Sequence, residues 1–139
     1  MSSQHVTELE QLIKAQQERM MAYDLAAAST DDETLKNYFT AKAEEAEAEM
    51  ETLNQLSPAA DWDMANNKPV LPCSALFQRG LHHYSATFLI NCVKQMEKNV
   101  NRLYKRVISE LKGGPASLLQ QLKMQHKQLL TGQQMMASL

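Results

Sequence analysis

Ser57-Pro58-Ala59-Ala60-Asp61-Trp62-Asp63-Met64-Ala65-Asn66-Asn67-Lys68-Pro69-Val70-Leu71-Pro72 interrupts an otherwise helix-prone chain. Pro58, Pro69, Pro72 and the Asn66-Asn67 pair oppose a regular helix, and the large apolar side chains Trp62, Met64, Val70 and Leu71 follow no helical period. The stretch therefore reads as a connection. Fully extended, a chain of this length reaches about 50 Å, whereas a helix of about 24 residues is about 36 Å long. The connection is long enough to cross a whole helical bundle.

Helical periodicity flanks it on both sides. Val6, Leu9, Ile13, Met20, Tyr23 and Ala27 follow steps of three and four with a gap at Gln16, which predicts a helix over about 5–28. Thr30 and Glu33 have capping-box spacing, so a second helix is expected over about 31–56. Its inward face is Leu35, Phe39, Ala43, Ala46, Met50 and Leu53, with Lys42 and Glu49 beside the seam and Glu44, Glu45, Glu47 and Glu51 crowding the rest. A third helix is expected over about 73–112, with Leu81, Tyr84, Phe88, Cys92, Met96, Val100, Leu103, Val107 and Leu111 inward and a kink at Gly80. Gly113-Gly114-Pro115 stops it, and Pro115 opens a fourth helix over about 115–138 on Leu118, Leu122, Gln125, Leu129, Gly132 and Met136.

Short first and last connections make each helix pair an antiparallel hairpin. Short, long, short is the connectivity of ferritin-like proteins. The expected fold is thus all-α: a ferritin-like, left-handed four-helix bundle over residues 1–139, two hairpins joined by one long crossover at 57–72.

Composition agrees. The chain has 139 residues, 44 % of them hydrophobic, with four Gly and four Pro, which suits one helical core. No basic leader precedes an apolar run, and no window approaches about eighteen continuous apolar residues, so a cytoplasmic protein without a membrane partner is expected. Cys73 and Cys92 are read as reduced thiols. The formal charge of −2 conceals an asymmetry, because fourteen of sixteen carboxylates precede Asn67 and ten of fourteen cationic side chains follow it. The two halves are electrostatic complements.

Particular residues also carry a resemblance. Leu12-Ile13, Tyr23 and the Ala-rich end of the first helix, Asp32, Leu35, Lys36 and Phe39 in the second, Ser74-Ala75-Leu76-Phe77-Gln78-Arg79-Gly80, and Cys92, Glu97 and Tyr104 together resemble a bacterial family of ferritin-like four-helix proteins of unknown function. The resemblance spans nearly the whole chain. It implies a fold and no chemistry, since that family has no assigned activity.

A ferritin-like bundle invites the question of a dinuclear metal centre. Such a centre needs an inward Glu from each of two helices and Glu-x-x-His from each of the other two. The fourth helix contains no Asp or Glu, and Lys123-x-x-His126 places an ammonium where a ligand should stand. No dinuclear site and no cofactor are therefore expected. The alternative is an irregular metal site drawn from Glu18, Glu47, Glu97 and His126. His82 and His83 diverge by about 100° on a helix and cannot share an ion. No catalytic triad or phosphate-binding loop is visible, so a structural or protein-interaction module is favoured over an enzyme.

Two further features concern partners. Lys94, Lys98, Arg102 and Arg106 recur every four residues, with Lys105 beside them. This stripe is expected to complement the acidic half; polyanion binding is the alternative, and nucleic acid is not favoured because no aromatics interleave. Acid–base complementarity can also act between subunits, which suggests a homodimer or another protein partner, with Met135-Met136 as a candidate association surface. Gln16 and Gln125 occupy seam positions and are expected to hydrogen-bond each other, fixing helix register.

Overall fold

The computed structural model describes residues 3–56 and 85–137, and among them finds helices and no strand. The elements are α1 (Ser3–Ala28), α2 (Glu33–Leu56), α3 (Ala86–Glu110) and α4 (Ala116–Met136). None is long and apolar enough to cross a membrane. The expected crossover 57–72, the 73–84 portion of the expected third helix, Cys73, Gly80, His82 and His83 lie outside the described residues.

Local chemistry sets the helix ends. The expected Thr30–Glu33 capping box does not form; the Asp32 carboxylate accepts the Leu35 amide at 3.0 Å, and the Thr30 hydroxyl accepts the Asp32 amide at 3.2 Å. Asp32 lies nearer the helix and carries charge, so it satisfies the positive end of α2 better than Thr30. Ser85 is extended and caps α3, accepting the Phe88 amide at 3.1 Å, so the helix expected to run through this point begins at Ala86. Gly113 takes φ +89°, the left-handed region that lets the chain reverse, and Pro115 stands just before α4 rather than within its first turn.

Cross-helix contacts fix the directions. Gln16 bonds Glu49 while Tyr23 meets Phe39, so α1 and α2 are antiparallel. Glu8 pairs with Arg106 while Arg19 pairs with Glu97, so α1 and α3 are antiparallel as well. Tyr104 with Gln125 and Glu97 with Gln133 give α3 and α4 the same relation. Consequently α2 and α3 run in the same direction, and the end of α2 and the start of α3 lie at opposite ends of the bundle.

Two apolar clusters fill the interior. One holds Leu9, Leu12, Ile13, Leu53, Val107, Leu111, Leu118 and Leu122; the other holds Tyr23, Leu35, Phe39, Leu89, Val93 and Met136. The inward faces expected for α2 and α4 are buried, apart from the half-buried Gly132. On α3 the expected Val100, Val107 and Leu111 are buried, but elsewhere the face is turned by one residue: Leu89, Val93, Glu97 and Tyr104 are buried, while Phe88, Cys92, Met96 and Leu103 are half-buried. The turn brings a carboxylate into the core, and its counter-ion comes from α1.

Candidate functional site: a guanidinium between buried carboxylates

Gln16 and Arg19 follow Leu12 along the α1 seam at spacings of four and three, and Tyr23 comes next, so all four point inward. The Arg19 side chain is 0 % exposed. Its Nε donates to Glu97 Oε1 at 2.5 Å from α3, and its Nη1 donates to Glu49 Oε2 at 3.1 Å from α2. Nη1 also donates to Gln16 Oε1 at 2.8 Å, while the half-exposed Glu45 stands 3.7 Å from Nη2. The Tyr23 ring closes the cage, with its centroid 5.9 Å from the guanidinium carbon. A planar, five-donor cation suits such a multi-carboxylate nest better than an ammonium.

The network continues to the remaining helix. Gln16 Nε2 donates to Glu49 Oε2 and to the Tyr104 hydroxyl, each at 2.7 Å. The Tyr104 hydroxyl donates in turn to Gln125 Oε1 at 2.7 Å, and Gln125 Nε2 donates to the Glu49 backbone carbonyl at 3.3 Å. Gln16 and Gln125, expected to meet directly, are thus bridged by Tyr104. The polar layer lies between the two apolar clusters and includes a side chain from every helix. Tyr104→Phe is expected to cost about 1–3 kcal/mol, because both glutamines lose a buried partner; thermal and urea unfolding measure this, and a loss within error would show that the amides find other partners.

Burial tends to discharge Arg19, but Glu97 and Glu49 more than offset it and hold the guanidinium above its usual range. Burial pushes the Glu49 carboxyl up to about 7 against the opposing pull of Arg19. Among the described residues Glu49 Oε1 has no hydrogen-bond partner, in keeping with a carboxyl that resists ionisation. The Tyr104 hydroxyl is also held high, mainly by burial.

The other sequence-derived candidates are dispersed. Glu97 is committed to Arg19; Glu18 is half-buried, with its carboxyl raised by burial against the pull of Lys14; Glu47 is exposed. His126 pairs with Asn101 and stacks on Tyr104, and burial, aided by Lys105, lowers its pKa. Among the described residues no group of three His, Cys, Asp or Glu side chains is placed to hold a metal. Arg106, one member of the stripe, meets Glu8 at 3.0 Å and also bonds Gln11. Lys98, Arg102 and Lys105 are exposed and Lys94 is half-buried.

Arg19 was absent from the sequence-derived set. Its only signal is three-residue spacing from Gln16, and a charged side chain beside the apolar Met20 is ordinarily assigned to the surface. Comparison with family models, curated proteins and solved structures yields no match.

Proposed function

We propose that this chain is a ferritin-like helical bundle without a dinuclear metal centre, acting through its surface as a structural or protein-interaction module. The observation supporting this reading is the Arg19 guanidinium between Glu97 and Glu49. Two cations bridged at mid-bundle need those inward carboxylates as oxygen donors, and here a covalently attached cation has taken them. The donor set does not fit a dinuclear centre, because α4 offers Gln125 and Gln133 where carboxylates would be needed. The common direction of α2 and α3 supports the ferritin-like connectivity, since a parallel pair consecutive in the chain needs a long crossover.

Elemental analysis of the purified protein tests the reading. Iron, manganese and zinc are expected well below one equivalent per chain, before and after incubation with each metal. Two equivalents retained through gel filtration would overturn it and favour the irregular site of Glu18, Glu47, Glu97 and His126.

A further inference from the structure

We propose that the open face between α2 and α4 is a self-association surface receiving a second copy of this chain, with α2 of each copy laid against α4 of the other. This rests on the reading of the protein as an interaction module and names its partner.

The face begins as a gap between helices of the described residues. Clefts of about 610 and 260 Å³ lie between α2 and α4, and both are lined by Glu45 and Gln128, so they form one continuous channel. Its α2 wall is built from Tyr38, Ala41, Lys42, Glu45, Ala48 and Thr52. Its α4 wall carries Met124 and Met135, which are 50 % and 68 % exposed. Large apolar side chains at such exposure, beside a cleft between two helices, are a surface against which a further helix packs.

Charge selects the neighbour and its orientation. Exposed Glu44 and Glu51 follow α2 along one rim, and exposed Lys123 and Lys127 follow α4, which has no carboxylate, along the other. Gln125 meets Glu49, and a Cβ on Gly132 would lie 2.9 Å from Lys42 Nζ. In that register Glu51 is level with Lys123, and Lys127 lies within one turn of both Glu44 and Glu51. A two-fold axis parallel to the bundle preserves these levels and sets the acidic rim of each copy against the basic rim of the other. An axis across the helices would set acid against acid, which like-charge repulsion disfavours. A second copy thus satisfies both rims at once.

Sedimentation velocity on the full chain tests the proposal, with far-UV circular dichroism to confirm folding. The wild type is expected to be dimeric at tens of micromolar. Met135→Asp and, separately, Lys127→Glu are expected to weaken the dimer at least about tenfold with helicity unchanged. Adding Lys123→Glu, Glu44→Lys and Glu51→Lys to Lys127→Glu is expected to restore it, because both rims are then fully reversed and again carry opposite signs. A wild type that stays monomeric to about 100 µM overturns self-association while leaving an unlike protein partner open. A dimer indifferent to all these changes overturns the α2–α4 face but not the interaction reading.

Discussion

Replacing Arg19 with Met is expected to destabilise the protein by about 3–5 kcal/mol. Glu97 is fully buried, and its principal partner is the guanidinium. Without Arg19 that carboxylate must either stay ionised without a counter-ion or take up a proton, and either state costs free energy. Methionine fills much of the vacated volume, which isolates the electrostatic loss from a cavity term. The decisive comparison is Arg19→Met with Glu97→Met in one chain. Replacing both partners with apolar groups removes the stranded charge, so the double variant is expected to recover most of the loss despite carrying more changes. Urea unfolding of the wild type, both single variants and the double variant gives the coupling directly. Simple addition of the two single losses would show that the pair is not energetically coupled.

Stability is also expected to fall as pH rises from about 5 to about 7, and then to level off. The origin is Glu49, which ionises near 4.5 when unfolded and is held up to about 7 in the folded protein. Burial is the main cause; Arg19 and the Gln16 hydrogen bond oppose it, while Glu45 on the same helix and Glu97 on α3 reinforce it. Between those two values the folded state retains a proton that the unfolded chain has released. Stability therefore declines with pH across this window, by on the order of 3 kcal/mol. Glu18 and Asp24, also raised by burial, act in the same direction, so a variant is needed to isolate Glu49. Glu49→Gln keeps the size and polarity of the protonated acid, and its unfolding free energy is expected to vary less between pH 5 and 8 than that of the wild type. Parallel slopes for the two proteins would remove Glu49 as the source.

Both expectations concern residues that sequence periodicity handled unequally. Gln16, Gln125 and Glu49 were legible because each sits at or beside an apolar seam, where a polar residue is an anomaly that invites a partner. Arg19 was not, since Met20 next to it, though about 100° away around the helix, continues the apolar steps of three and four. Before Val100 the expected face of α3 is likewise displaced by one residue, to Leu89, Val93 and Glu97. Phe88, Cys92 and Met96 form an uninterrupted apolar series, whereas the buried series through Leu89 and Val93 reaches Glu97. A pattern counted by hydrophobicity rejects the second series, yet Arg19 makes it the inward one.

Sequence by itself determined the elements: where breakers fall, where helical period holds, which faces of α2 and α4 turn inward, and that acid and base are divided between the two halves. These are properties of neighbours along the chain, and steric preference and local spacing express them without help from the rest of the molecule. Tertiary structure alone decided the chemistry of the interior. The cost of burying Arg19, Glu97 and Glu49 is offset only when side chains from separate helices arrive at one level, and no spacing within a single helix encodes that meeting.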